Sequence, residues 1–211
     1  LGQMLDDALN VHGVYFLVDH LPSDNQIAVR VGHPHHAGLL PYCVGDELVF
    51  NDAAVLAEKG RAIVTAMACD ADRGNIVLSF DREVQTFAAR GDLIENPGRM
   101  PEVLYENNRV IDCPEIRISS SRRIVVRNND FDLCCVDLDF NDLASYWYES
   151  GPTTDVEITG NVFRRPGPNI LFTSQRPPDA RCRHRRAVVR DNVFADPDGA
   201  VIAKALDELV R

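Results

Sequence analysis

The sequence predicts an all-β fold, a parallel β-helix interrupted by an inserted antiparallel module. The first observation is a repeat in which an asparagine, any residue and a large apolar residue follow one another at four places. Three of the four repeats follow an alternating run rich in β-branched residues, which is typical of a strand. The repeats are 21, 32 and 31 residues apart, a spacing typical of stacked-coil proteins, and their asparagines are Asn108, Asn129, Asn161 and Asn192.

Each repeat predicts a strand, a bend that carries the asparagine, and a second short strand. Asparagines at the same bend of successive coils can hydrogen-bond to one another and form an amide ladder. Two residues after three of these asparagines the chain places a phenylalanine, and we expect Phe131, Phe163 and Phe194 to stack inward. The repeat therefore predicts the fold and not an activity.

Three segments follow one another along the chain. Residues 1–13 are expected to end one coil of the β-helix. Residues 14–95 lack the asparagine repeat and contain five alternating runs separated by turn residues, which predicts an antiparallel module closed into a small barrel. Residues 96–211 carry the coils, and apolar residues in the tail predict a short helix that caps the last coil; these residues are Ala205, Leu206, Leu209 and Val210.

Composition excludes some classes of partner. The 211 residues carry a formal net charge of −10, which argues against nucleic acid or an anionic membrane surface. No apolar run approaches the roughly 18 residues of a membrane span, and no signal peptide opens the chain. Because a β-helix that began at Leu1 would lack a cap for its first coil, we expect earlier coils to precede it.

The first cluster with possible chemistry is Asp6-Asp7, which is followed closely by Asn10 and His12. One of two adjacent carboxylates can activate water while the other tunes its pKa. The structural alternative is a surface turn, in which aspartate is a favoured residue.

A second cluster lies in the segment 141–152, which lengthens one coil and contains the single tryptophan of the chain. Loops extended from a rigid stack often carry binding sites. Trp147 and Tyr148 offer flat faces for the apolar side of a sugar ring, and Asp142 and Glu149 add carboxylates. The structural alternative is an aromatic plug packed on the β-helix.

A third cluster, His33-Pro34-His35-His36, invites comparison with a metal site, since neighbouring imidazoles bind zinc or copper. The proline forces a turn, however, and no carboxylate or cysteine follows at ligand spacing. We therefore interpret this cluster as a loop and predict neither a metal nor another cofactor.

Two motifs extend the first two clusters. They are Asp6-Asp7-Ala8-Leu9-Asn10-Val11-His12-Gly13 and, after a barrel-like insert, Trp147-Tyr148-Glu149-Ser150-Gly151-Pro152. Taken together, these motifs resemble glycoside hydrolase family 110. The resemblance runs in order over most of residues 1–175. It implies a right-handed parallel β-helix with inserted barrels in a bacterial, periplasmic or secreted enzyme. It also implies that a terminal α-1,3-linked galactose is released with inversion and without a metal.

The resemblance implies a set of site residues. The catalytic carboxylates would be Asp6, Asp7 and Glu149. Inversion needs a carboxylic acid and a carboxylate about 6.5–9.5 Å apart on opposite faces of the sugar. Adjacent strand residues diverge, so we expect one of Asp6 and Asp7 to face the sugar and the opposing group to come from Glu149, Asp142 or an earlier coil. The substrate-binding residues would be Asn10, His12, Asp142, Trp147 and Tyr148.

Two alternatives from other classes stay open. One is a β-helix that binds glycans without cleaving them, or an inactive fragment. The other is a polysaccharide lyase, which would need a cation site built from several carboxylates. The candidate residues for such a site are Asp130, Asp132, Asp137 and Asp139.

Overall fold

The computed structural model describes residues 6–70, 75–138, 146–149, 153–173 and 184–211. The described residues form 20 strands and two short 3₁₀ turns, Pro34–His36 and Pro97–Arg99. The strands make three parallel sheets and one closed antiparallel barrel, which confirms the predicted fold class. Within the described ranges no helix is long and apolar enough to cross a membrane.

The β-helix is built from three parallel sheets that run along its length. The first sheet contains β1 (Leu9–His12), β10 (Glu115–Ser119), β13 (Cys135–Asp137), β16 (Ile170–Leu171) and β19 (Val201–Ile202). The second sheet contains β8 (Val103–Glu106), β11 (Arg123–Arg127), β14 (Asp155–Thr159), β17 (His184–Arg190) and β20 (Leu206–Val210). The third sheet contains β9 (Arg109–Ile111), β12 (Asp130–Asp132), β15 (Val162–Phe163) and β18 (Val193–Phe194).

Each coil takes one strand from each sheet, in the order second, third, first. Strand β1 pairs in parallel with β10, so it occupies the first-sheet position of a preceding coil. The chain then leaves the β-helix, forms the barrel and returns at β8. The barrel is therefore an insertion between two stacked coils.

The predicted amide ladder is confirmed. The side-chain oxygen of Asn129 accepts a hydrogen bond from the Asn108 side chain at 3.1 Å, and that of Asn161 accepts one from Asn129 at 3.0 Å. Asn161 in turn donates to Asn192 at 2.9 Å. Asn129 and Asn161 are buried, so the ladder satisfies polar groups inside the bend of each coil.

The residue before each ladder asparagine has a left-handed backbone. The φ angles are 58° at Asn107, 55° at Asn128, 64° at Gly160 and 58° at Asp191. Glycine, asparagine and aspartate adopt this conformation at the lowest cost, which explains why the bend contains these residue types.

The phenylalanines that follow the ladder stack along the axis. Ring centroids are 5.0 Å apart between Phe131 and Phe163 and 5.2 Å apart between Phe163 and Phe194. Phe131 and Phe163 are buried, whereas Phe194 at the end of the stack is half-buried. The inward stack is therefore confirmed, and it shares one core with the aliphatic residues of all three sheets.

The inserted module is a closed antiparallel barrel with its own apolar core. The five alternating runs seen in the sequence contribute strands to it, and a sixth, short strand pairs with both the first and the third of these to close the cylinder. Around the barrel the order is β2 (Phe16–Ser23), β3 (Gln26–Val31), β6 (Asn75–Phe80), β5 (Glu58–Asp70), β4 (Glu47–Asn51) and β7 (Leu93–Glu95).

The predicted C-terminal helix is wrong. Residues Leu206–Val210 form β20, which pairs in parallel with β17. The apolar spacing suited a helix, but β17 would otherwise present an unpaired edge. A strand satisfies the backbone groups of that edge, while Leu206 is buried and Leu209 packs against the core.

Candidate active site

The candidate site lies on the outer face of the first sheet. Asn10, Arg117 and Asp137 are aligned on adjacent strands β1, β10 and β13. Their neighbours Ile116 and Val136 are fully buried in the core. Because successive strand residues point to opposite faces, the aligned polar side chains point away from the core.

A charged cluster centres on Arg117. Its guanidinium lies 2.8 Å from Asp137 Oδ2, 2.6 Å from Glu115 Oε1 and 3.7 Å from Asp7 Oδ2. Asp137 is buried, and the side chains of the other three are largely shielded from solvent. Asp7 is thereby held against β10, a strand of the first coil after the barrel.

Burial raises the pKa of Asp7 to about 6, and a hydrogen bond with the Glu115 side chain acts in the same direction, whereas the Arg117 charge opposes the shift. The charges of Glu115 and Asp6 add to the increase. Asp7 therefore keeps its proton to a much higher pH than an ordinary aspartate. A carboxyl group of this kind is suited to general acid chemistry near neutral pH.

Asp6 has a different environment from Asp7. It is exposed, and its Oδ1 accepts a hydrogen bond from the Asp7 backbone N–H at 2.9 Å. Of the adjacent pair, Asp7 thus enters the charged cluster and Asp6 holds the backbone beside it.

Glu149 is buried beside β1. Its Oε1 lies 3.3 Å from His12 Nε2 and 3.4 Å from Asn10 Nδ2. Its backbone bridges to Val14, and the neighbouring Tyr148 carbonyl accepts a hydrogen bond from the Tyr15 N–H at 2.7 Å. Among the described residues, its Oε2 has no hydrogen-bond partner. The segment that carries Glu149 is therefore held at the point where the chain enters the barrel.

His12 links Glu149 to the backbone at the end of β1. His12 Nδ1 lies 2.7 Å from the Gly13 carbonyl, which only accepts, so Nδ1 carries a hydrogen. The other ring nitrogen, Nε2, faces Glu149 Oε1 at 3.3 Å.

The histidine loop of the barrel packs against the aromatic segment. Ring centroids are 4.7 Å apart between His33 and Trp147 and 5.8 Å apart between His35 and Trp147. Tyr146 lies 5.0 Å from Trp147, and His36 lies 6.2 Å from His12. The sequence did not place this loop at the site, because its partners Tyr146 and Trp147 are more than a hundred residues away along the chain. The signal that could have found it was the group of three histidines around one proline.

His36 is the buried member of that loop. Burial lowers its pKa, and the neighbouring His12, His33 and His35 add to the decrease. His36 is therefore suited to a neutral state. Among the described side chains, no three of the types His, Cys, Asp and Glu converge to hold a metal ion.

The remaining sequence candidates divide as follows. Tyr148 lies with its ring over Gly32, where any side chain would overlap the ring, so it anchors the aromatic segment to the barrel. Asp142 and Asp139 lie outside the described residues. Asp130 pairs with Arg164 at 2.7 Å in the third sheet, whereas Asp137 belongs to the first sheet. Asp130 and Asp137 therefore do not share one cation site.

The fold and the site define a parallel β-helix with an inserted barrel and with carboxylates and aromatic rings on one face. The chain is similar to proteins named alpha-1,3-galactosidase A, with 28% identity over 93% of this chain for the Streptomyces avermitilis protein and 27% over 97% for the Bacteroides thetaiotaomicron protein. It is also 29% identical, over 98% of its length, to alpha-1,3-galactosidase B of Phocaeicola vulgatus.

The matched region is one part of each relative. The chain spans 34%, 38% and 40% of the length of these three proteins. No protein-family model matches the chain.

Proposed function

We propose that this chain carries catalytic residues of an exo-acting glycoside hydrolase that releases terminal α-1,3-linked galactose with inversion. The observation that carries the proposal is a pair of carboxyl groups beside β1, one of which has a raised pKa. Asp7 precedes the strand and has the raised pKa, and Glu149 contacts Asn10, three residues further along the chain. Three extended residues span at most about 10 Å, which is compatible with the separation that inversion needs.

In this mechanism Asp7 is the general acid. It donates its proton to the glycosidic oxygen as the bond from that oxygen to galactose C1 breaks. The aglycone then leaves as a neutral alcohol. Glu115 stabilises the protonated form of Asp7 through their hydrogen bond, and Arg117 stabilises the carboxylate that remains.

Glu149 is the general base on the opposite face of the sugar. It removes a proton from the water that attacks C1, so galactose is released in the β configuration. His12 and Asn10 occupy its Oε1, which leaves Oε2 for the water. The proton later returns to Asp7 through solvent, which restores the starting state.

The similarity to named α-1,3-galactosidases supports the choice of substrate. A galactose-terminated glycan is neutral, and a chain with a net charge of −10 does not repel it. The aromatic segment supplies the flat surface that a pyranose ring needs.

The test is release of free galactose from galactosyl-α-1,3-galactose by the wild-type chain and by Asp7→Asn, which keeps size and removes the acid. We expect release by the wild type and almost none by the variant. Asp6→Asn is the matched comparison, because its side-chain oxygen can still accept the Asp7 N–H. A larger loss in Asp6→Asn than in Asp7→Asn would contradict the assignment of the acid.

The same assay separates the other classes. A product that absorbs in the ultraviolet, formed from a uronate polymer, would favour a lyase. Binding of the disaccharide without any release would favour a glycan-binding scaffold.

A further inference from the structure

Aromatic rings form a wall on one side of the face that carries Glu149. The wall consists of His33 and His35 of the barrel loop and of Tyr146 and Trp147. His33 and His35 belong to the barrel loop, and their rings lie 4.7 and 5.8 Å from that of Trp147. Trp147 is 39% exposed and Tyr146 is 62% exposed, although both are large aromatic residues. A cluster of exposed rings from two sequence-distant segments is a surface that a ligand with one apolar face fits.

The base of this wall is polar and connects to the proposed catalytic groups. His36, at the foot of the loop, lies 6.2 Å from His12, which contacts Glu149 at 3.3 Å. His36 is 6% exposed, and its Nδ1 has no hydrogen-bond partner among the described residues. A buried polar atom of this kind is costly unless a water or a ligand hydroxyl satisfies it.

The position of Glu149 decides which sugar meets the wall. The general base of an inverting enzyme lies beside the ring whose C1 is attacked. The wall adjoins Glu149 through Trp147, whereas Asp7 lies before the start of β1, against Arg117 of β10. The ring beside the wall is therefore the terminal galactose, and the aglycone lies towards Asp7.

We infer that His33 and His35 of the inserted barrel, together with Trp147, bind the terminal galactose and close the site beyond it. This inference rests on the proposed function and deepens it, because it makes the barrel part of the substrate site. Trp147 takes the apolar face of the pyranose, and the imidazoles hydrogen-bond to its hydroxyls. The wall also explains exo action, since a glycan cannot extend past it beyond the terminal galactose.

The test is calorimetric titration of the chain with free galactose. We expect about tenfold weaker binding in His33→Ala and in His35→Ala, which corresponds to the loss of one stacking or hydrogen-bonding contact. His33→Gln keeps a hydrogen-bond donor and acceptor and is expected to recover part of the affinity. The control is His20→Ala, which removes a histidine paired with Asp19 on strand β2 of the same barrel and leaves galactose binding unchanged.

Fluorescence locates the binding event, because Trp147 is the single tryptophan of the chain. We expect saturating galactose to change its emission in the wild type and in His20→Ala. Galactose binding that is unaltered in both alanine variants of the wall would overturn the inference. An absence of galactose binding, or of any fluorescence change, in the wild type would also overturn it.

The two proposals fail in different ways. If galactose binding depends on His33 but no galactose is released from the disaccharide, the wall stands and the proposed hydrolysis is wrong. If galactose is released normally and its binding is insensitive to His33 and His35, the hydrolysis stands and the wall is wrong.

Discussion

Replacement of Asn161 by alanine should destabilise the β-helix strongly. Asn161 is fully buried in the ladder, and its side chain makes four hydrogen bonds at 2.9–3.0 Å. Its Oδ1 accepts from the backbone N–H and the side chain of Asn129, while its Nδ2 donates to the Val126 carbonyl and to Asn192. Alanine removes all four bonds and leaves the Asn129 N–H without its acceptor.

The magnitude follows from these contacts. A buried N–H that loses its acceptor costs about 1–3 kcal/mol, and each of the other lost hydrogen bonds costs about 0.5–1.5 kcal/mol. We therefore expect the free energy of unfolding to fall by about 3–5 kcal/mol. The matched control is Asn108→Ala at the exposed end of the same ladder, where water replaces the lost bonds and the cost should be about 1 kcal/mol or less.

Urea denaturation of the two variants and the wild type measures both costs. The midpoint should shift much further for Asn161→Ala than for Asn108→Ala, with similar slopes. Equal shifts in the two variants would refute the reasoning, because they would show that burial does not decide the value of a ladder position.

Three further predictions concern stability. Phe163→Ala should cost about 3–5 kcal/mol in urea denaturation, because the ring is buried between two others, whereas Phe194→Ala at the half-buried end should cost less. The raised pKa of Asp7 contributes stability that is complete below about 3.8 and is lost as pH rises through about 6, so Asp7→Asn should flatten this decline in a series of melting curves. The lowered pKa of His36 contributes stability that is present above about 6.5 and is lost as pH falls, so His36→Gln should lose less stability than the wild type between pH 7 and pH 5.

The repeats made the β-helix predictable from the sequence. An asparagine and a phenylalanine at fixed positions after alternating runs are local signals, and each coil repeats them. The closing strand Leu93–Glu95 of the barrel lacks such a signal, since its three residues are too few to show an alternation. The tail at Leu206–Val210 was misinterpreted because its partner edge, β17, exists only in the folded stack.

The candidate site was harder to predict than the fold. The sequence singled out the segment of Asp6–His12 and the segment around Trp147, and the structure brings Asn10 and His12 to Glu149. The contact between His33–His36 and Trp147 could not be predicted from the sequence, because it depends on how the barrel packs on the β-helix. The contact between Arg117 and Asp7 could not be predicted either, since it requires the register between β1 and β10.

The most direct test of the proposed mechanism is proton NMR of the galactose formed first from galactosyl-α-1,3-galactose, with the wild-type chain and with Glu149→Gln. An acid at Asp7 and a base at Glu149 on opposite faces of the sugar should give β-galactose before mutarotation, and the Glu149→Gln variant should release almost none. α-Galactose as the first product, or unchanged release by Glu149→Gln, would contradict the account.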